Sequence, residues 1–247
     1  MFKGSGDHVN QNACVKLTSA NGLLQRMAER ALWLLAPARC LLCDHKGDVG
    51  SVDICHHCLN ALPRGTAGWQ PGIGAIARVL GPWRYQFPVD ALIKSLKFGS
   101  DRAAARLLGS LLAKERLTAG GPLPHCVVPV PLHARRLRDR GFNQANEIAQ
   151  FAARPLGLRV AAGALRRQKA TVAQSGLSLS GRLANPHGAF VATGALTGTR
   201  IALVDDVITT GSTAVAAAEA LLAAGAAEVE LWVLARVARR TDILHTG

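Results

Sequence analysis

Apolar positions along the chain follow two rhythms, one helical and one extended. Leu23, Leu24, Met27, Ala31, Leu34 and Leu35 recur at spacings of three and four, which predicts a one-faced helix stopped by Pro37. Val89, Leu92, Ile93 and Leu96 form a second such stripe, and a further helix is expected after Gly99, from about Arg102 to Leu117. Asn143 to Ala153 reads as helical, with Ile148, Ala149 and Ala152 on one face. Between these stripes, Trp83 to Phe87 is a short extended piece, and Cys126 to Val130 is a β-branched run closed by Pro131, read as a strand. Ile201 to Val204 is wholly apolar between Arg200 and Asp205, which suits a strand covered on both faces. Ser212 to Ala224 then predicts a helix stopped by Gly225, and Val229 to Leu234 the next strand. Strand, helix, strand in that order is a βαβ unit, so the expected class is α/β with a parallel sheet.

Breaks in the pattern divide the chain. Residues 1–22 are mostly polar and without period, a loose N-terminal arm; 23–62 hold the first helix and two cysteine pairs. Residues 63–82 are rich in Gly and Pro (Gly65, Gly68, Pro71, Gly72, Gly74, Gly81), which predicts a linker, and 83–247 form the main domain. No internal repeat of fixed period is present.

A chain of 247 residues has room for one full domain and a small satellite, and 49% hydrophobic against 18% charged residues excludes a disordered chain. Apolar runs are interrupted well before the roughly 18 residues a membrane span needs, as by Arg26, Glu29 and Arg30 within Leu23 to Ala38, so no span is expected. Lys3, Asp7, His8, Asn10, Gln11 and Asn12 stand where a secretory signal would be continuously apolar, which points to the cytoplasm. Lys plus Arg is 29 against 16 Asp plus Glu, a net charge of +13 that suits a phosphate-rich partner or simply a solvated basic surface. With only 11 aromatic residues (6 Phe, 4 Trp, 1 Tyr), an extended base-stacking platform is disfavoured.

Four of the six cysteines stand in two CxxC pairs, Cys40 with Cys43 and Cys55 with Cys58, eleven residues apart. Two such pairs make a tetrahedral Cys₄ zinc site able to stabilise a segment too short for a core of its own. A redox CxxC or two disulfides are the competing readings; a redox enzyme needs only one pair, and a reducing compartment disfavours the second. A closed Cys₄ site has no open coordination position, so its role would be structural or in recognition and not catalytic.

The segment IALVDDVITTGST, Ile201 to Thr213, carries the most chemistry. Asp205 and Asp206 follow a buried strand at the carboxyl edge, where parallel sheets bind their ligands. Thr209, Thr210, Gly211, Ser212 and Thr213 then open a helix, offering backbone N–H groups and hydroxyls to a phosphate. The carboxylates would accept hydrogen bonds from vicinal sugar hydroxyls or coordinate a hydrated Mg²⁺. No Lys follows the glycine in a GxxxxGK[ST] arrangement, so a P-loop is excluded. GIGAIA at 72–77 imitates a dinucleotide fingerprint, but no strand is expected before it and Gly81-Pro82 cuts off a following helix. A second segment, VVPVPLHARRLRDRGFNQA, places His133, Arg135, Arg136, Arg138 and Arg140 just past a strand end, where Arg forks suit phosphate oxygens. Lys94 and Lys97 flank a helical stripe and read as surface residues, with extension of a polyanion track as the alternative.

LVDDVITTGST resembles the binding signature of type I phosphoribosyltransferases. With IKSLKF, VPVPLH, RGFNQA, the spacing of Arg166, Thr171 and Gln174 before Asn185, and GAF at 188–190, the chain from about 35 to 240 resembles the ComF family of competence-associated proteins. That resemblance implies a zinc-ribbon module joined to a Rossmann-like phosphoribosyltransferase domain that binds 5-phosphoribosyl-1-pyrophosphate with Mg²⁺ on its pyrophosphate. It implies Asp205 and Asp206 on the ribose hydroxyls as catalytic candidates and residues 209–213 around the 5-phosphate. The pyrophosphate loop would be Leu132, His133, Ala134 and Arg135, with Arg140 nearby. Residues 166–174 are a candidate cover over the site. The acceptor is open, and two alternatives stand beside a transferase: handling of incoming single-stranded DNA with other DNA-uptake proteins, and a ligand sensor without turnover.

Overall fold

Where the sequence places an apolar run between charged residues, the structure places a strand of one sheet. The computed structural model of the chain describes residues 39–45, 53–99, 101–168 and 188–237. The expected arm, the helix at 23–35, and Thr171, Gln174 and Asn185 lie outside the described residues. In chain order the elements are helix α1 (His56–Asn60), strands β1 (Trp69–Ile73), β2 (Ile76–Leu80) and β3 (Trp83–Arg84), helices α2 (Val89–Gly99) and α3 (Arg102–Thr118), and strand β4 (Cys126–Pro129). There follow helices α4 (Ala134–Arg140) and α5 (Gln144–Ala153) and strands β5 (Arg159–Val160), β6 (Leu165–Arg167), β7 (Phe190–Ala192) and β8 (Arg200–Ile208). Helix α6 (Ser212–Ala223) and strand β9 (Glu228–Arg236) complete the described chain.

The main sheet runs β1-β2-β9-β8-β4-β5, with β3 also paired to β9. All its pairings are parallel except the β1–β2 hairpin. Strand β8 lies between β4 and β9, and both of its faces are covered, as its unbroken apolar run requires. Ala202 and Val204 join the core beneath α3 and α5; Ile201 and Leu203 join the core beneath α6. Pairing with β9 continues to Ile208, so Asp205 and Asp206 lie within the strand and not after it.

The linker expected at 63–82 is corrected: this stretch carries β1 and β2, and β2 pairs with β9 from Arg78 to Leu80. Gly and Pro punctuate hairpins as readily as linkers; Gly74 and Ala75 form the two-residue loop between the paired Ile73 and Ile76. Ile76, Val79 and Leu80 are buried, which a linker would not achieve. The cysteine segment also packs on the main body. Cys40, Ile54, Cys55 and Leu62 share one core with Trp83, Leu108 and Trp232, and Arg106 of α3 grips Asp53 through Nε (2.7 Å) and Nη2 (3.0 Å).

Helices α3 and α5 meet closely at Gly109, where an added Cβ would lie 2.7 Å from Phe151 Cβ and 2.8 Å from the Ile148 carbonyl oxygen. Gly109→Ala should therefore force the two helices apart and destabilise the fold by about 1–3 kcal/mol in urea unfolding. An unchanged midpoint would contradict this packing.

Candidate functional site

The end of β8 and the turn into α6 form a small cleft of about 60 Å³, lined by Asp205, Val207, Ile208, residues 209–214, Leu231 and Val233. Gly211 takes φ +83° at the N-cap of α6, a conformation that a residue with a Cβ resists. It offers no capping side chain, and the amide of Ser212 donates to Thr210 Oγ1 at 3.4 Å. Thr210 and Ser212 share a hydroxyl–hydroxyl hydrogen bond of 3.1 Å. Free amides, hydroxyls and the positive end of a twelve-residue helix make this turn receptive to an anion.

The two acidic residues differ. Asp205 is half-buried and lines the cleft, and its Oδ1 accepts the amide of Asp206 at 2.9 Å. Burial, and then the charge of Asp206, push its carboxyl up from 3.8 to about 7, against the amide of Asp206 and the cations Lys97 and Arg167. Asp206 is only 6% exposed and does not line the cleft; its Oδ2 meets Lys97 Nζ at 2.8 Å and accepts from Gln144 Nε2 at 3.2 Å.

The expected pyrophosphate segment lies between β4 and α5. Leu132 and His133 are half-buried, Ala134 and Arg135 exposed, and none of the four lines the cleft of Asp205. His133 caps α4, its Nδ1 accepting from the Arg135 amide at 3.2 Å. Asn143 closes the segment, donating to the Val130 carbonyl (3.0 Å) and capping α5 at Ala145 (3.1 Å). Arg140 is half-buried and donates to Gln144 Oε1 at 2.6 Å, so it reaches Asp206 through that amide. Burial and the charge of Arg136 both weaken protonation of Arg140 and of Arg167, while Asp206 supports the first and Asp205 the second. Arg136 thus lies within electrostatic reach of both Arg140 and Arg167, the first of which senses Asp206 and the second Asp205.

Three contributors escaped the sequence analysis. Lys97 was expected on the surface, yet its side chain is 22% exposed and paired with Asp206. Gln144 carried no role beyond its place in RGFNQA, and Arg167 stood in no motif. An acidic pair at a buried strand end calls for cations, but nothing local says which ones.

Far along the chain, the sulfurs of Cys40, Cys43, Cys55 and Cys58 lie within 4.8 Å of one another and could hold a metal ion; a Cys₄ set is consistent with zinc. Burial opposes the Cys40 thiolate, but backbone contacts from Cys55, Leu42 and Cys43 outweigh it and bring the thiol down to about 6. Burial and then the neighbouring thiols push Cys58 up. One thiolate forms readily and resists the next, a conflict that a divalent cation removes. No helix among the described residues is long and apolar enough to cross a membrane.

The family model for the phosphoribosyl transferase domain matches residues 93–244. DNA utilization protein YhgH of Salmonella typhi is 34% identical over 224 residues, covering 82% of this chain and 99% of that protein. Competence protein F of Haemophilus influenzae is 35% identical over 187 residues, covering 73% and 78%. The chain belongs to the ComF family. Its acidic strand end, the turn at 209–213 and the basic segment after β4 all fall inside the matched phosphoribosyl transferase domain. Among solved structures, the chain overlays glutamine phosphoribosylpyrophosphate amidotransferase from B. subtilis at a TM-score of 0.37 and 24% identity, over 53% of this chain and 26% of that one, too slight a likeness to bear on function.

The raised carboxyl of Asp205 has a signed consequence. The folded chain holds this proton more tightly than the unfolded chain does, so the associated stability is present below the ordinary value of 3.8 and is lost as pH rises through about 7. Asp205→Asn, uncharged throughout, should gain on the wild type in melting temperature as pH goes from about 4 to about 8. A difference that stays flat or shrinks with pH would contradict the burial of this charge.

Proposed function

We propose that the cleft binds 5-phosphoribosyl-1-pyrophosphate, with Mg²⁺ on its pyrophosphate. The observation that carries this reading is that Asp205 and the 209–213 turn line one cleft at the carboxyl edge of a parallel sheet. A terminal phosphate takes the amides and hydroxyls of the turn, and the pentose hydroxyls donate to the acidic strand end. The pyrophosphate is directed toward the basic segment after β4, with residues 132–135 as its loop and Arg140 nearby. When bound, Mg²⁺ would supply charge neutralisation to the pyrophosphate. Should transfer to an acceptor occur, positive charge developing at the anomeric carbon is stabilised by the carboxylates, while the two ends of the ligand are held apart. Release of pyrophosphate with candidate acceptors separates a transferase from a sensor that binds without turnover.

A second reading, single-stranded DNA handling, draws on the relatives' names and on exposed Arg135, Arg136 and Arg138 of α4. It predicts binding that falls steeply with salt and is lost on replacing Arg135 and Arg138. The Cys₄ cluster holds structural zinc in this proposal, and its reduced thiols fit the cytoplasm.

Calorimetry with Mg²⁺ and 5-phosphoribosyl-1-pyrophosphate should show one site per chain, weakened about tenfold or more by Asp205→Asn, the loss expected for a hydrogen bond to a charged acceptor. Unchanged affinity in that variant would remove the site assignment. Native mass spectrometry should find one zinc per chain, lost together with thermal stability in Cys40→Ser or Cys58→Ser; a metal-free wild type of equal stability would contradict the zinc reading.

A further inference from the structure

The glycine-rich stretch GIGAIA, residues 72–77, has no part in the chemistry of the cleft, yet the fold sets it against the cleft wall. Ile73 to Ile76 form the tip of the β1–β2 hairpin, and neither Ile73 nor Gly74 is among the residues that line the cleft. Both nevertheless meet the turn that does. Gly74, at φ +56°, lies so close to the start of α6 that an added Cβ would be 2.9 Å from Val215 Cγ1. Ile73 and Ile208 flank Gly211, where a Cβ would lie 3.7 Å from Ile73 Cδ1 and 3.4 Å from Ile208 Cδ1. Val215 closes the opening turn of α6, its amide donating to the Gly211 carbonyl at 2.9 Å. The hairpin tip therefore bears on both ends of that turn.

The same hairpin is anchored on the opposite face of the sheet, the one covered by α3. Arg78 of β2 donates to Glu230 Oε2 through Nε (3.0 Å) and Nη2 (2.6 Å), and Arg116 Nε and Trp232 Nε1 donate to Oε1 at 3.3 and 2.8 Å. Glu230 is 3% exposed, so removing a partner from it is costly. The guanidinium of Arg78 also lies 3.9 Å from the ring centroid of Trp69 in β1, so one side chain ties both strands of the hairpin to β9. Strands pinned in this way leave the tip little room to retreat from α6.

We infer that the β1–β2 hairpin is a buttress for the cleft wall: Ile73 and Gly74 are positioning residues that hold the turn into α6 from outside the β8–α6 unit, with Arg78 and Glu230 as their anchor. The glycine at residue 74 is required by packing, since a side chain there would push on Val215 and, through its hydrogen bond, on Gly211. Nothing in this arrangement depends on which ligand the cleft accepts.

The test is amide hydrogen exchange of the full chain, without ligand, followed by NMR. Gly74→Asn keeps a residue that tolerates positive φ but adds the Cβ, which separates the contact from backbone strain. It should speed exchange of the Val215 amide about tenfold while the amide of Leu203, in the middle of β8, stays within about twofold of wild type. Adding Val215→Ala removes the atoms in the way and should bring the amide at 215, corrected for the intrinsic rate of the new residue, back to within about threefold of wild type. Arg78→Met loosens the anchor without touching the tip, leaving Arg116 and Trp232 on Glu230, and should speed the amides of Val79 and Val215 together, each about fivefold. Should Gly74→Asn fail to fold, Arg78→Met decides the matter. Equal acceleration of Val215 and Leu203 in Gly74→Asn, no rescue by Val215→Ala, or a Val215 amide that keeps its wild-type protection in Arg78→Met would overturn the inference.

Discussion

Two neighbouring carboxylates at the end of a central, apolar strand repel one another, and a sheet covered on both faces has little water to screen them. The structure meets this constraint by splitting the pair across the sheet. Asp206 enters one face and is matched by Lys97 and Gln144. Asp205 enters the other, where the cleft, the amide of its neighbour and the cations Lys97 and Arg167 offer relief, and burial with the charge of Asp206 still pushes its carboxyl up to about 7. That unresolved charge gives the cleft its chemistry: a hydrogen-bond acceptor poised beside a turn that favours anions.

Much of the architecture can be understood as the means of holding that strand end in place. Parallel pairing with β4 on one side and β9 on the other aligns the carboxyl ends of three strands. The loops that follow β4 and β8 carry the basic segment and the turn at 209–213. Helices α2 and α5, which cover one face, also deliver Lys97 and Gln144 to it, and the same core accepts the cysteine segment. The close contact of α3 with α5 at Gly109 therefore bears on the site, since α5 begins at Gln144.

Legibility in the sequence followed the range of the interactions. Strands β4, β8 and β9 and helices α2, α3, α5 and α6 were readable because each is a local pattern of apolar positions bounded by a charge, a glycine or a proline. The cysteine cluster was readable because its spacing is itself the chemistry. Asp205 and the turn at 209–213 were readable because they lie within nine residues of one another. The β1–β2 hairpin was taken for a linker because Gly72, Gly74 and Pro71 resemble one until the partner strand, about 150 residues away, is known. Lys97 and Gln144 were missed for the same reason. A lysine on a helical stripe has no local mark of burial, and its partner Asp206 lies more than 100 residues further on.

The most direct measurement is a crystal structure of the protein with 5-phosphoribosyl-1-pyrophosphate and Mg²⁺. The account predicts the 5-phosphate within hydrogen-bond distance of the amides and hydroxyls of residues 209–213, and a ribose hydroxyl on Asp205. Density for the ligand at another surface, or a ligand in this cleft that leaves Asp205 without a contact, would contradict it.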